Sequence, residues 1–313
     1  MRSERNSLAP RCLRCLLVLC GLAVGGRLPA ETFVLPPDDV DLVGTVQYVE
    51  ARPDETLLDI ARRHDLGQEE ILLANPDVDR WLPEPGAKVV LPNTYLLPDA
   101  PRKGLVLNLP EMRLYYYDQK DQRGRPVVIT HPVSVGRMDW KTPLGQARIV
   151  RKAKDPTWRP TQSLHQEAAA EGRTLPEVVP PGPDNPLGRY AMYLSISGYL
   201  IHSTNKPYGV GMRVTHGCVR MYPEDIEELF PMVPVNTPVQ IVNQPIKLGW
   251  YADRLYIEVH PRLEEEREEA PPLLRTALEQ VYAVLEERPA ELDSGALMVA
   301  VAERRGIPVA ISR

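Results

Sequence analysis

Cysteine is scarce in this chain, which contains four in 313 residues. Cys12, Cys15 and Cys20 fall within the first thirty residues, and only Cys218 lies beyond them. If residues 1–30 are removed, the remaining single thiol cannot form an internal disulfide, which excludes a disulfide scaffold. A lone thiol in an oxidising compartment is a liability unless it has a function. The scarcity of cysteine therefore points to Cys218 as a functional residue.

The N-terminus lacks a hydrophobic run long enough to span a bilayer, because the apolar stretch covers only residues 15–24. Arginines precede this stretch and small and polar residues follow it, which is the order typical of a secretory signal peptide. We expect cleavage after Ala30 and export of the mature chain. A retained amphipathic anchor and a lipid-modified Cys20 are the alternatives, although Leu19 is large where a lipoprotein signal favours a small residue.

The chain also lacks a net positive charge and phosphate-binding motifs. Residues 1–30 carry five arginines and one glutamate, a net charge of +4, and the whole chain carries −5, so residues 31–313 carry −9. An acidic mature chain is a poor candidate for binding nucleic acid. No glycine-rich dinucleotide or phosphate loop occurs at a strand–helix junction, and the sequence predicts no cofactor and no metal. Proline is abundant, which favours rigid loops and strands over long helices.

Residues 46–93 predict a small unit with the order strand–helix–helix–strand. Thr56 and Asp59 have the spacing of a capping box at the start of the first helix, and Gly67 ends that helix. A second short helix is predicted over residues 69–74. The segments DETLLDIARRHDLGQEEILLANP and GAKVVLP resemble a LysM domain, a module that binds N-acetylglucosamine glycans such as peptidoglycan. The alternative is a unit that only packs against the rest of the chain.

Residues 104–244 predict a mainly β domain. Short β-branched and aromatic runs such as GLVLNL, MRLYYY and PVVIT are separated by glycine, proline and aspartate, and helices are predicted only near 162–171 and 225–230. Residues 262–313 predict a charged linker and two amphipathic helices, a helical C-terminal extension. The apolar faces of these helices need a partner, which the sequence does not identify.

The stretch VTHGCVRM, residues 214–221, places the lone thiol among groups that could activate it. A catalytic cysteine needs a base or cation beside it and backbone donors for an oxyanion. His202 ends the strand-like run YLIH, sixteen residues before Cys218, so a hairpin-like return would bring the two together. Ser203 or a backbone carbonyl could orient the imidazole. The N–H groups of Gly217 and Cys218 are candidate oxyanion donors, and Arg220 could hold a carboxylate.

Three interpretations of this set compete: a buried structural cysteine, a metal site and a nucleophile. Buried structural thiols rarely have two histidines and an arginine beside them. The ligand types of His202, His216 and Cys218 suit zinc, but their spacing matches none of the common frameworks. The residues therefore favour a nucleophile.

The segment IHSTNKPYGVGMRVTHGCVRM resembles the signature of the YkuD-type L,D-transpeptidase family: a histidine, a spacer, and then Ser/Thr-His-Gly-Cys, a hydrophobic residue and Arg or Asn. The segments GRMDWKTPLG, DPTWRPT, GPDNPLGRYAMYL and PVNTPVQIV follow the family in the same order, so the likeness covers residues 104–260. Together with the leader and the LysM-like unit, the chain is similar to the periplasmic ErfK/YbiS-like subgroup, which attaches a Braun-type lipoprotein to peptidoglycan. One departure is Ser203, where many members of the subgroup have glycine.

The resemblance implies a β-sandwich-like catalytic domain and a mechanism. Cys218 would attack the carbonyl of the third stem residue, meso-diaminopimelate, and D-alanine would leave. His202 would act as base and then as acid. Thr215 would orient the loop, His216 would assist the oxyanion site or brace the loop, and Arg220 would contact a substrate carboxylate. The resulting thioester would be resolved by an amine.

The resemblance also implies the partners. The donor would be peptidoglycan, bound through its glycan by the LysM unit and through its stem peptide by the catalytic domain. The acceptor would be the C-terminal lysine of an outer-membrane lipoprotein. Diaminopimelate on a neighbouring stem, giving a 3–3 cross-link, and water, giving a tripeptide, are the alternative acceptors.

Two other functional classes share some of these features. A papain-like cell-wall endopeptidase also uses Cys and His, but its nucleophile precedes its base, and here only His260 lies downstream of Cys218. A non-catalytic peptidoglycan-binding protein would lack part of the motif, and no part is missing. We expect His64, His131 and His165 to have no catalytic role, and His260 to be an edge or surface residue.

Overall fold

The computed structural model describes residues 31–313, so the signal peptide predicted for residues 1–30 lies outside the described residues. Within that range, no helix has both the length and the apolar character needed to cross a membrane. The strands are β1 Glu31–Val34, β2 Leu42–Gly44, β3 Gln47–Glu50, β4 Lys88–Leu91, β5 Thr94–Leu96, β6 Leu105–Asn108, β7 Arg113–Lys120, β8 Pro126–Gly136, β9 Gly145–Lys154, β10 Tyr190–Leu194, β11 Leu200–His202, β12 Arg213–Thr215, β13 Val219–Met221, β14 Pro238–Val242, β15 Ile246–Tyr251, β16 Arg254–Val259 and β17 Val309–Ala310. The helices are α1 Leu57–Arg63, α2 Gln68–Ala74, α3 Gln162–Ala170, α4 Pro223–Met232, α5 Leu273–Glu287 and α6 Ser294–Glu303.

Eight strands of residues 104–244, the region that the sequence predicts to be catalytic and that we call the catalytic region, form a closed hydrogen-bonded circuit. Starting at β8, the order is β8-β13-β11-β10-β9-β14-β6-β7, and β7 pairs back with β8. Strand β8 closes the circuit because its first part pairs with β7 and its last part pairs with β13. The strands β1 and β12 pair with β8 outside the circuit.

The runs PVVIT and VSVG, which the sequence separates at His131 and Pro132, belong to the single strand β8. Pro132 has no N–H to contribute to a ladder, and it stands where β8 changes from one partner to the other: Arg113 of β7 lies opposite Pro132, and Met221 of β13 lies opposite Val133. A proline at this junction therefore does not interrupt the strand.

Strands β6, β7 and β8 are buried on both faces, which explains why they are almost continuously apolar. Alternate residues, such as Leu107 and Leu114, contact the main core inside the circuit. The residues between them, such as Val106 and Tyr115, pack in a second cluster with Val43 from the N-terminal strands. These three strands therefore have a hydrophobic cluster on each face.

Residues 47–91 contain β3, α1, α2 and β4 in that order, with β3 antiparallel to β4 around a core of their own. The Thr56 hydroxyl accepts from the Asp59 N–H, and the Asp59 carboxylate accepts from the Thr56 N–H, which confirms the predicted capping box. The start of α2 docks on the catalytic region: the Gln68 N–H donates to the carbonyl of Val210 at 3.1 Å, and the Glu69 N–H donates to that of Gly211 at 3.0 Å.

The C-terminal helices find their apolar partner in the same chain. Strands β15, β16 and β17 form a three-stranded antiparallel sheet, and α5 and α6 pack on it around Ile257, Val281 and Leu297. Lys247 of β15 is fully buried and joins this unit to the circuit, with its Nζ 2.9 Å from Glu111 and 2.7 Å from Glu258. The C-terminal unit therefore begins with β15 at Ile246, whereas the sequence predicts a helical extension that begins only at residue 262.

Candidate active site

The sequence predicts that His202 and Cys218 meet across a hairpin-like return, and this detail is wrong. Strands β11 and β13 are adjacent but parallel, so residues 203–217 cross over between them rather than turning back. Ile201 lies opposite Val219, and His202 lies opposite Arg220. Because side chains alternate along a strand, Cys218, Arg220 and His202 emerge on one face of the sheet. The parallel register of β11 and β13 therefore brings the predicted groups together without a hairpin.

A cavity of about 650 Å³ lies over this face of the sheet. Of the predicted site residues, five line it: His202, Thr215, His216, Cys218 and Arg220. Ser203 is buried beside the cavity, and its N–H donates to the carbonyl of Tyr190 at 3.0 Å. The segment between β9 and β10 also lines the cavity, through Trp158, Arg159, Leu164, Glu167, Arg173 and Leu175.

The Cys218 thiol is half-buried in this cavity and is the one free cysteine among residues 31–313. Its Sγ donates a long hydrogen bond to the carbonyl of Gly198 at 3.6 Å. Burial raises the pKa of the Cys218 thiol above its ordinary value, while a hydrogen bond from the Leu200 backbone and the charge of Arg220 act in the opposite direction. The resting group is therefore a thiol rather than a thiolate.

The His202 imidazole is buried, and its Nδ1 has no hydrogen-bond partner among the described residues. Burial and the nearby charge of Arg220 lower the pKa of His202 to about 3, and a hydrogen bond with the Ser203 backbone opposes this shift. The ring is therefore neutral at rest and has a nitrogen free to accept a proton. A neutral thiol and a neutral imidazole on neighbouring strands can react only if the proton moves as the nucleophile attacks.

The turn before Cys218 requires glycine. Gly217 has a φ of +91°, and a Cβ at this position would lie 2.6 Å from Cε1 of Tyr199. Two hydroxyls hold the carbonyls of the turn: Thr142 donates to the Gly217 carbonyl at 2.8 Å, and Thr215 donates to the Cys218 carbonyl at 2.5 Å. Binding the carbonyls in this way fixes the orientation of the peptide groups on either side of the thiol.

His216 is held by residues that the sequence did not single out. Its Nε2 lies 2.7 Å from Oε2 of Glu167 on α3, and the edge of Trp140 contacts the ring with 5.2 Å between centroids. Glu167 also pairs with Arg137, and that hydrogen bond is the main cause of the lowered pKa of Glu167. Helix α3 is predicted from the sequence, but no local signal indicates that its glutamate contacts a histidine forty-nine residues away.

Arg220 brings an unmatched positive charge into the cavity. Its Nε is buried without a hydrogen-bond partner, and no carboxylate in residues 31–313 forms an ion pair with the guanidinium. Burial accordingly lowers the pKa of Arg220. A half-buried cation without a partner favours an anionic ligand, such as a substrate carboxylate.

None of the other four histidines of residues 31–313 lines the cavity. His64 caps the end of α1, and His165 lies on α3. The expectation that His260 is an edge or surface residue is wrong, because it is buried with its Nε2 2.6 Å from Glu258. His131 is fully buried in β8.

Comparison with known proteins identifies the family. The YkuD family, described as the L,D-transpeptidase catalytic domain, matches residues 102–241. YbiS, a probable L,D-transpeptidase of Escherichia coli (strain K12), is 39% identical over 289 residues, covering 90% of this chain and 92% of the relative. YcfS of the same strain, also a probable L,D-transpeptidase, is 38% identical over 300 residues, covering 93% of this chain and 92% of the relative. ErfK/SrfK of Salmonella typhimurium (strain LT2), a third probable L,D-transpeptidase, is 37% identical over 297 residues, covering 90% of this chain and 92% of the relative. The chain therefore belongs to the L,D-transpeptidase family and is an enzyme of that class.

Proposed function

We propose that Cys218 is the nucleophile of this L,D-transpeptidase and that His202 is its general base. The observation that carries the proposal is the parallel register of β11 and β13, which places the thiol, the imidazole and the unmatched guanidinium of Arg220 on one face of one cavity. A cysteine, a neutral base and a cation are the groups that thiol acylation by a carboxylated substrate requires.

The reaction proceeds in two steps that conserve the protons. His202 takes the thiol proton as Sγ attacks the carbonyl carbon of the meso-diaminopimelate in a stem tetrapeptide. The C–N bond to D-alanine breaks, the protonated His202 gives its proton to the leaving amine, and a thioester remains on Cys218. An acceptor amine then attacks the thioester carbonyl and His202 takes a proton from that amine. The C–S bond breaks as the new amide forms, and the protonated His202 gives its proton to the departing Cys218 thiolate, which restores the thiol. The N–H groups of Gly217 and Cys218 stabilise the oxyanion in both steps.

The remaining residues position these groups. Thr215 holds the turn through the Cys218 carbonyl, and the Ser203 backbone orients the imidazole of His202. His216 braces the turn against α3 through its contact with Glu167. Arg220 binds a carboxylate of the donor stem.

The acceptor in this proposal is the C-terminal lysine of an outer-membrane lipoprotein. Its support is the order of segments that this chain shares with the lipoprotein-attaching subgroup, together with similarity to the ErfK and YbiS relatives over about nine-tenths of the chain. The net charge of −9 on residues 31–313 favours the approach of a lysine-ended helix, although salt screens this attraction beyond roughly 8 Å.

A competition between acceptors tests this proposal. The enzyme is incubated with tetrapeptide muropeptides and a peptide that ends in lysine, and the products are separated by mass. A tripeptide–lysine adduct as the main product supports lipoprotein attachment. Tripeptide–tetrapeptide dimers with the lysine peptide untouched would replace it by 3–3 cross-linking, and free tripeptide alone would indicate hydrolysis.

We also propose that residues 46–93 are a LysM domain that binds the glycan strands of peptidoglycan in the periplasm, after removal of residues 1–30. The support is the strand–helix–helix–strand order with its own core and an exposed aromatic side chain, Trp81, in the loop between α2 and β4. Trp81 is 61% exposed and could stack on a sugar ring.

Point substitution is the appropriate test of glycan binding, because deletion of the unit would uncover Arg113 and His131, which are fully buried. Trp81→Ala should weaken binding to isolated sacculi and leave turnover of soluble stem peptides unchanged. The matched control is Tyr282→Ala on α5, which removes an aromatic ring that is 56% exposed. Equal binding by both variants would argue against this face as the glycan site.

A further inference from the structure

Three buried side chains from distant parts of the chain meet where the N-terminal unit docks on the catalytic region. Asp65 lies in the turn after α1, His131 in β8 and Asp225 in the first turn of α4. Nδ1 of His131 is 3.7 Å from Oδ2 of Asp65 and 3.8 Å from Oδ2 of Asp225. All three residues are buried, and His131 has no exposed surface. We call these residues the Asp65–His131–Asp225 cluster.

The polar atoms that converge in this cluster lack hydrogen-bond partners. With both carboxylates ionised, no donor among the described residues bonds either carboxylate oxygen of Asp65, Oδ2 of Asp225 or either ring nitrogen of His131. A proton on one aspartate would bond the other aspartate, so a bound cation competes with a shared proton at this place. Buried polar atoms are almost always hydrogen-bonded, and each one left unbonded costs about 1–3 kcal/mol or more. The two ring nitrogens of His131 point in different directions, so one ion can bind only one of them, and Nδ1 is the nitrogen that lies near both carboxylates. The three side chains together therefore indicate one shared ligand.

The charge of the surroundings indicates that the ligand is a cation. The nearest buried cation, Arg113, is matched by Glu31 at 3.6 Å and Glu70 at 3.5 Å. The charge of Arg113 also acts on Asp65 and Asp225, but one guanidinium cannot neutralise all of these carboxylates, and burial raises the pKa of both aspartates. Burial also lowers the pKa of His131 to about 3, so its ring is neutral and a nitrogen lone pair is available to a ligand.

In a second cluster of the molecule, a lysine side chain provides the counter-charge for buried carboxylates. Glu111, Glu258 and His260 are also buried and close together, but the ammonium of Lys247 lies between the two glutamates, and His260 bonds Glu258. The Asp65–His131–Asp225 cluster has the same kinds of ligand atom without the lysine.

We propose that the Asp65–His131–Asp225 cluster binds a divalent transition-metal ion of the zinc class. One imidazole nitrogen and two carboxylate oxygens form a ligand set that zinc accepts. Two ligand atoms on a tetrahedral zinc ion are about 3.4 Å apart, so the separations seen here would contract by only a few tenths of an ångström. The ion would tie the N-terminal unit to β8 and to α4, which begins two residues after β13.

Zinc binding to the full-length mature chain tests the proposal without reference to activity. Cys218→Ser serves as the parent, so that zinc cannot bind the thiol, and the protein is stripped with a chelator before titration with zinc chloride in a calorimeter. The parent should bind one equivalent of zinc and melt at a higher temperature when loaded. Asp225→Asn should bind at least about 100-fold more weakly, because losing an outer-shell partner alone typically costs 10–100-fold. The control Asp38→Asn removes an exposed carboxylate and should bind as the parent does.

Other outcomes would overturn the site. Absence of saturable zinc binding in the parent would mean that the two aspartates share a proton instead. Equal affinity in the parent and Asp225→Asn would place the zinc elsewhere on the surface. If Asp225→Asn does not fold, X-ray absorption of the zinc-loaded parent decides. One imidazole with oxygen ligands supports the cluster, whereas several imidazoles or oxygen alone would contradict it.

Discussion

Arg220→Gln should lower catalytic efficiency strongly without lowering stability. The substitution keeps a similar side-chain length and removes the charge that has no partner in the described chain. A hydrogen bond to a charged group contributes about 1.5–3 kcal/mol, so kcat/KM for a stem tetrapeptide should fall by about 10- to 150-fold. Burial lowers the pKa of Arg220, which means that the folded state disfavours its charged form, so the melting temperature should be unchanged or higher.

Part of the loss could act through the thiol, because the charge of Arg220 also lowers the pKa of Cys218. A double-mutant cycle separates the two effects. The parent and Arg220→Gln are each assayed with the normal tetrapeptide and with two analogues, one amidated at the side-chain carboxylate of diaminopimelate and one at the carboxylate of D-alanine. If Arg220 binds one of these carboxylates, amidation of that carboxylate should lower kcat/KM of the parent enzyme. The same amidation should have little effect on kcat/KM of Arg220→Gln.

Two results would refute this reasoning. If the free-energy losses from the substitution and from each amidation, both calculated from kcat/KM, are additive, then Arg220 contacts neither carboxylate. If Arg220→Gln melts at a clearly lower temperature than the parent, then the guanidinium is stabilised in the folded state by a partner, contrary to its unmatched position in the cavity.

Three further substitutions or conditions test the turn and the thiol. The rate of Cys218 alkylation by iodoacetamide should keep rising above the ordinary cysteine pKa of about 8.5, because burial raises the pKa of this thiol, and a plateau at neutral pH would contradict this. Gly217→Ala should reduce turnover at least tenfold because φ is +91° and the new Cβ would meet Tyr199, and full activity would show that the turn can move. Glu167→Gln should lower kcat/KM by no more than about fivefold, because a partly exposed polar contact of this kind is worth up to about 1 kcal/mol, and a far larger loss would give His216 a direct part in the chemistry.

Local patterns in the sequence predict much of the fold. The capping box at Thr56, the helix over residues 162–171 and the strand–helix–helix–strand order of residues 46–93 follow from side-chain spacing within a few turns. The lone thiol and the histidine sixteen residues before it are likewise visible without a structure. These features depend on neighbours along the chain, so a single sequence contains the information.

The features that the sequence does not predict depend on pairing between distant segments. Nothing near His202 specifies that β11 lies parallel to β13, and Pro132 hides the continuity of β8 because its partner changes there. The contact of Glu167 with His216 and the burial of His260 arise in the same way. The partner of the C-terminal helices is a sheet whose third strand, β17, has only two residues.

The most direct test of the central claim is the mass of the enzyme during turnover. The mature protein is mixed with a stem tetrapeptide without an acceptor, quenched in acid and analysed intact and after proteolysis. If Cys218 is the nucleophile, a population heavier by one tripeptide acyl group should form, with the added mass on the peptide that contains Cys218 and no such species in Cys218→Ser. An acyl group on another residue, or turnover by Cys218→Ser at more than about 1% of the parent rate, would contradict the assignment of Cys218 as the nucleophile.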